Sequence, residues 1–198
     1  MFRHIPRARP SDRNMRPCLL AFLLSAPVLA QVQVTYLANE GVLLTAGSTK
    51  VLIDALFRDS LGDYPRHSAE TQEQLEGGKA PFDGVALALA THYHLDHWDA
   101  GAISRFLGAN RTARFASTPP AGAMLPSAVR SRVDALWTED GAPTPARDIP
   151  GGRLEAIPLV HGATPNLAFR IEMGGRVVMH LGDADSSAVN HERLAAKP

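Results

Sequence analysis

The sequence predicts a mixed α/β domain, and three observations carry that prediction. Short apolar or alternating segments, bounded by Gly, Pro and Asn, recur along the chain as strands do. Amphipathic stretches opened by Ser, Asp or Pro lie between them, as helices do. One apolar segment runs straight into Ala90-Thr91-His92-Tyr93-His94-Leu95-Asp96-His97-Trp98-Asp99, which sets three imidazoles and a carboxylate within six residues. Zinc accepts both ligand types, and a strand that ends in a loop can aim alternate side chains at one centre. His92 and His94, two apart, share one side of an extended backbone. Asp96 and His97 follow where the chain turns, in place for a second ion.

Taken in order, residues 32–37, 42–46 and 51–54 predict an antiparallel meander. Asn39-Glu40-Gly41 between the first two strands reads as plain turn chemistry. Asp54 closes an apolar strand where nothing local explains a carboxylate; a helix cap or a solvated strand end is the ordinary account. Residues 57–81 form a polar connection long enough to be functional or mobile, with a short helix expected over 68–75. Coming straight after Asp54, this connection is positioned to cover the metal site, which makes Phe57, Arg58, Tyr64 and Arg66 candidate substrate contacts. A solvated loop accounts for them equally well.

Residues 82–90 predict a strand buried on both faces. Asp99 heads a helix in which Ile103, Phe106 and Leu107 share a face and which ends at Gly108. Trp98 reads either as a core tryptophan or as the lip of the pocket. Residues 114–117 predict a strand, Pro119-Pro120 the start of a helix, 127–136 a second short helix, and 138–150 a Pro-containing loop. Residues 153–160, 166–173 and 176–181 predict three strands, the last two joined by a Gly174-Gly175 hairpin. His161 falls at the end of the first of these and Asp183 just past the last, on the same edge as His92. His180 reads as structural, His67 and His191 as surface residues, and Ser186 as the cap of a final helix ending at Ala196.

The 198 residues suit one domain with a substantial core. A net charge of zero hides a split: residues 1–30 carry Arg3, Arg7, Arg9, Arg13 and Arg16 against Asp12, so the remainder is net acidic. An acidic body argues against a nucleic-acid groove, which needs clustered Lys and Arg. Residues 1–30 also follow the order of an export signal, with a basic segment, an apolar run over 18–24 and small residues at 28–30. Cleavage after Ala30 would leave a periplasmic or secreted chain, 31–198, without a stable membrane anchor, because the apolar run is short for a bilayer. It would also remove Cys18, the single cysteine, and with it any disulfide or Cys ligand.

The stretch around His92 resembles the signature of the metallo-β-lactamase-fold hydrolase superfamily, and other segments agree in order and spacing. Val51-Leu52-Ile53-Asp54 resembles the family's early strand ending in Asp, Leu159-Val160-His161-Gly162 its third-His strand, and His180-Leu181-Gly182-Asp183 its bridging-Asp strand. Thr35-Tyr36-Leu37-Ala38-Asn39-Glu40-Gly41-Val42 and the insert after Asp54 look most like the branch of ascorbate-phosphate lactonase-like proteins. The resemblance implies an αββα sandwich in which His92, His94 and His161 hold one Zn2+ while Asp96, His97 and Asp183 hold another. Asp183 would bridge the two and Asp54 would support the ligands from behind. Such a pair of ions activates water to hydroxide near neutral pH, and Asp96 would orient it and accept its proton.

The activity implied is hydrolysis of an ester, lactone, amide or phosphoester bond in a small-molecule substrate. An iron-dependent oxidoreductase of the same fold is one alternative. A non-catalytic metal-binding protein is another, because the family supplies a last His from a strand beyond the bridging Asp. With the sequence stopping at Pro198, the resemblance leads to the expectation that C-terminal strands and a helix are missing.

Overall fold

The computed structural model describes residues 31–196, so the expected leader lies outside the described residues. Strands β1 (Gln33–Ala38), β2 (Gly41–Ala46) and β3 (Thr49–Ile53) form the expected antiparallel meander. Strands β4 (Leu87–Leu89), β5 (Arg114–Ser117) and β6 (Val133–Ala135) then add in parallel, completing a six-stranded sheet in sequence order. A second, antiparallel sheet has the order β10-β9-β8-β7, built from β7 (Arg147–Ile149), β8 (Gly152–Leu159), β9 (Asn166–Met173) and β10 (Arg176–His180). The helices are α1 (Ala69–Gly77), α2 (Ala100–Ala109), α3 (Pro119–Ala123) and α4 (Ala188–Ala195). Among the described residues no helix is long and apolar enough to cross a membrane.

The strand period of two sorts the core into layers. On β3, Leu52 packs with Leu75 of α1 and with Ile103, Phe106 and Leu107 of α2, whereas Val51 and Ile53 face the other sheet. Phe115 and Ala116 divide in the same way on β5. Leu154 and Ala156 of β8 and Leu167, Phe169 and Ile171 of β9 fill the space between the sheets. Ile157 and Leu159 point outward, where Leu194 of α4 covers them. The layers therefore run helix, sheet, sheet, helix, which is the αββα sandwich. Phe106 and Phe169 have no exposed surface, and each such burial stabilises the fold by on the order of 1.5–3 kcal/mol.

Topology positions the site. Because β3, β4 and β5 are parallel, their C-terminal ends reach one edge, the edge at which open α/β sheets place ligands. β8 and β10 both run antiparallel to β9, so His161 and Asp183 also leave their strands at a common end. Asp99 caps α2 as expected, its Oδ1 accepting the Ala102 N–H at 2.6 Å, and turns the loop that begins at His92 back into a helix.

Several local expectations are corrected. Residues 127–136 are not a helix; they form a turn, a 3-10 segment (Arg130–Arg132) and β6, because pairing with β5 outweighs a weak helical pattern. The strand expected over 82–90 shrinks to Leu87–Leu89, since Gly84 adopts a φ of 69° and Phe82 turns into the helix-side core. The loop at 138–150 contains β7. The final helix is capped by Ser187, not Ser186. His67 is not a surface residue: it is half-buried, its Nε2 lies 2.9 Å from the Ala55 carbonyl, and its ring packs on Phe57. Trp98 is 7% exposed and belongs to the core.

Candidate metal centre

The residues at the ends of the strands converge. His92, His94, His161 and Asp183 form one group whose ligand atoms all lie within 4.8 Å of one another, and Asp96, His97 and Asp183 form a second. Asp183 divides its two oxygens between them. Oδ2 lies 3.9 Å from His92 Nε2 and 3.8 Å from His161 Nε2, whereas Oδ1 lies 3.3 Å from His97 Nε2. All six ligands expected from the sequence are thus brought to one place.

The outer hydrogen bonds decide which ring nitrogen of each His faces inward. Asp54 accepts the Thr91 N–H at 2.7 Å and the Thr91 hydroxyl at 2.8 Å. With its hydrogen committed to Asp54, Thr91 Oγ1 accepts from His92 Nδ1, 3.0 Å away, which leaves the lone pair on His92 Nε2. His94 places Nε2 3.1 Å from Thr164 Oγ1 and turns Nδ1 toward His161 Nε2 at 3.4 Å. His97 Nδ1 stands 3.0 Å from Asp54 Oδ2, off the line of a hydrogen bond, so that contact acts as an ion pair. His161 has Asp185 beyond its Nδ1 at 3.7 Å. Each imidazole therefore has an outer neighbour and an inward nitrogen.

The residues fit a cation. His92 Nε2, His97 Nε2 and Asp96 Oδ1 are buried without a hydrogen-bond partner. Orphaned buried acceptors and ring nitrogens are costly unless something pairs with them, and all three atoms sit on residues of the converging groups. Burial, then the neighbouring His97 charge, hold His92 well below the usual imidazole range; burial, then His161, lower His94 from its ordinary value. A neutral imidazole is the form a metal requires. His97 is the exception. Burial would lower it, but contacts with Asp183 and Asp54 hold it well above its ordinary value. Asp183 is held below the usual carboxylate range by His97, against its burial. Asp54 is pushed up by burial and brought below its ordinary value by His97 and Thr91. His97 and these two carboxylates thus favour each other's charged forms, and a metal ion would take over the part of His97.

Asp54 sits where the sequence places it, behind the ligands and wholly buried, at a φ of 47° that non-glycine residues seldom adopt. The substrate-contact candidates do not gather here. Phe57 is 1% exposed. Arg58 is locked to Glu76 by bonds of 2.7 and 2.5 Å, and Arg66 Nε donates to Ser60 Oγ at 2.6 Å. Phe57, Arg58 and Arg66 line a cavity of about 460 Å³ against α1, with none of the six converging ligands in its wall. Tyr64 is half-exposed and outside that wall.

Sequence reasoning missed four residues that hold the centre. Asn39 donates from Nδ2 to the Asp96 carbonyl and to Asp96 Oδ2, both at 3.2 Å; turn chemistry masked it. Thr91 and Thr164 orient His92 and His94 as described, and only their nearness to His92 and His161 in the sequence hinted at it. Asn190, in α4, bonds to Val160 beside His161, and no sequence signal pointed to it.

The family model for the β-lactamase superfamily domain matches residues 33–197. No curated protein matches the sequence. Among solved structures, the chain is similar to the metallo hydrolase Igni18 of the archaeon Ignicoccus hospitalis, at 20% identity and a TM-score of 0.55, over 79% of this chain and 63% of that one. It is similar to a protein described as a possible metal-dependent hydrolase from Veillonella parvula, at 18% identity and a TM-score of 0.59, over 85% and 69%. It also resembles CmlA, a diiron beta-hydroxylase from Streptomyces venezuelae, at 17% identity and a TM-score of 0.59, over 85% of this chain but 33% of that one. The chain thus spans less than two thirds of the length of two of these three structures.

Proposed function

Since the chain belongs to the β-lactamase superfamily, whose fold carries a His and Asp cluster here, we propose that it is an exported, zinc-dependent hydrolase of a small molecule with an ester, lactone, amide or phosphoester bond. The observation that carries the reading is the set of buried, unpartnered atoms, His92 Nε2, His97 Nε2 and Asp96 Oδ1, on residues of the two converging groups. His92, His94 and His161 would hold one ion, Asp96 and His97 the other, and Asp183 would bridge them. When bound, two such ions lower the pKa of a coordinated water and polarise a carbonyl or phosphoryl oxygen.

The chain's own residues supply the rest. Asn39 occupies Asp96 Oδ2 and leaves Oδ1 without a partner, so Oδ1 is the atom that accepts the proton of an attacking water. Asp54 and Thr91 keep the His92 hydrogen on Nδ1, away from the substrate side. The imidazole-rich set suits zinc. The lactonase-like branch is a finer reading of the same site, carried by the 35–42 segment and the insert after Asp54.

Elemental analysis of purified protein, alongside a panel of lactone, thioester, phosphodiester and β-lactam substrates, tests the reading. Two zinc ions with turnover of one class are expected. A coloured, iron-loaded protein without hydrolysis would favour the oxidoreductase alternative, and metal uptake without any turnover the binding-protein alternative. Export is tested by mass spectrometry of the mature chain, which should begin at Gln31.

A further inference from the structure

His180 lies outside the six converging ligands, yet its ring connects two of the loops that carry them. Its Nε2 is 2.9 Å from the Glu40 carbonyl. A carbonyl only accepts, so the hydrogen sits on Nε2. Its Nδ1 in turn accepts the Gly182 N–H at 3.3 Å. Both bonds are satisfied together only by the tautomer with hydrogen on Nε2 and a lone pair on Nδ1.

Glu40 follows Asn39 in the β1–β2 turn, and Asn39 holds Asp96 through both its carbonyl and Oδ2. Gly182 precedes Asp183. An unbroken path therefore runs from Asp96 through Asn39, Glu40, His180 and Gly182 to Asp183, joining the two carboxylates that flank His97. The path is held at both ends. Asn39 has a φ of 46°, and a Cβ at Gly41 would meet the Ala38 and Asp54 carbonyls at 2.8 and 3.0 Å, so the turn is packed hard against the strand that ends in Asp54. Gly182 has a φ of 56°, and a Cβ there would meet Asn166 Oδ1 and Thr91 Cβ at 2.6 and 2.7 Å, while Asn166 Nδ2 bonds to the Leu181 carbonyl. The path crosses from the six-stranded sheet to the four-stranded one, so it fixes the distance between layers at the point where the ligands meet.

We infer that Asn39 and His180 are positioning residues, which make the β1–β2 turn a clamp that sets the separation of Asp96 and Asp183 and thereby the grip on the second metal ion. The inference rests on the metal reading above. It goes beyond that reading in giving a role to a turn and to a histidine outside the six converging ligands.

The test is isothermal titration of Zn2+ into the metal-free chain, as wild type, Asn39→Ala, His180→Ala and the double variant, with thermal midpoints of each metal-free protein. Each single variant is expected to weaken the second ion by roughly tenfold or more, the scale typical of groups that orient ligands. The first ion and the midpoint should change little. The double variant should be no weaker than the worse single one, because either substitution opens the same clamp. His180→Gln, whose amide can donate to the Glu40 carbonyl, should recover part of the loss. Multiplied losses in the double variant, or equal weakening of both ions in step with a lowered midpoint, overturn the clamp. Tight binding unchanged in every variant, or a single ion bound alike by all, overturns it while leaving a metal centre in place. A wild-type chain that takes up no Zn2+ overturns the metal reading and the clamp with it. Long-range 15N–1H correlations of the metal-free protein give an independent check: hydrogen on Nε2 of His180 is expected, and hydrogen on Nδ1 contradicts the path.

Discussion

Asn190 and Val160 are joined by two hydrogen bonds: Asn190 Oδ1 accepts the Val160 N–H at 2.8 Å and its Nδ2 donates to the Val160 carbonyl at 2.9 Å. Asn190 is 1% exposed, and the same amide reaches the Asp185 carbonyl at 2.8 Å. One side chain of α4 therefore ties the backbone just before His161 to that of Asp185, whose carboxylate lies 3.7 Å from His161 Nδ1. Asn190→Leu keeps the volume but leaves the Val160 N–H unpaired, because the Val160 and Asp185 carbonyls keep bonds from the Asp185 and Ser187 N–H groups. Urea unfolding should show a loss of roughly 1–3 kcal/mol, the cost of one unsatisfied group; an unchanged midpoint would mean that water substitutes for the amide.

Asp96→Asn changes charge with little change of size. As Asp96 Oδ1 is the proposed proton acceptor, turnover should fall by on the order of a hundredfold or more while the fold persists. Full activity in a folded, metal-loaded Asp96→Asn variant would falsify that role.

Thr164→Val removes the hydroxyl 3.1 Å from His94 Nε2. Without it nothing selects the tautomer that turns Nδ1 inward, and zinc affinity in the three-imidazole group should fall by roughly tenfold. Competition with a chelating dye reads this directly, and equal affinities would show that Thr164 does not orient the ring.

Glu76 gives a pH test away from the centre. Burial would push its carboxyl up, but hydrogen bonds from Arg58, Arg105 and Gln72, with the Arg105 charge, bring it down to about 2. A carboxyl lowered in the folded state stabilises it above the ordinary value of 4.5, and that contribution fades as the pH falls toward about 2. Both guanidinium groups are half-exposed, so screening reduces the effect, and Glu76→Gln should cost on the order of 1–3 kcal/mol at pH 7. The difference between variant and wild type should shrink steadily between pH 4.5 and pH 2; a constant difference across that window would assign the cost to packing.

The two ligand groups predict stepwise metal release. One offers three imidazoles and Asp183, the other a single imidazole with Asp96 and Asp183 among the described residues. Titration with a zinc chelator should show two separated steps, the weaker from the His97 group. A single cooperative step at two ions per chain would mean that the groups act as one site.

What the sequence by itself determined lies close together along the chain. The His92, His94, Asp96 and His97 cluster, the Asp99 cap, the hairpin meander and the Gly174-Gly175 hairpin all depend on neighbours within a few residues, and local geometry expresses them whatever the rest of the chain does. The resemblance extended this to His161 and Asp183. Only the tertiary structure decided which atoms face inward. Asn39 reads as an ordinary turn residue until the β1–β2 hairpin meets Asp96, 57 residues away. Asn190 carries no sequence signal until α4 closes over Val160. Residues 133–135 become a strand because β5 presents an unpaired edge, and Phe57 is buried because the fold brings the His67 ring against it. Periodicity and capping act through sequence neighbours, whereas hydrogen-bond partners and burial are set by which distant segments the closed sandwich brings together.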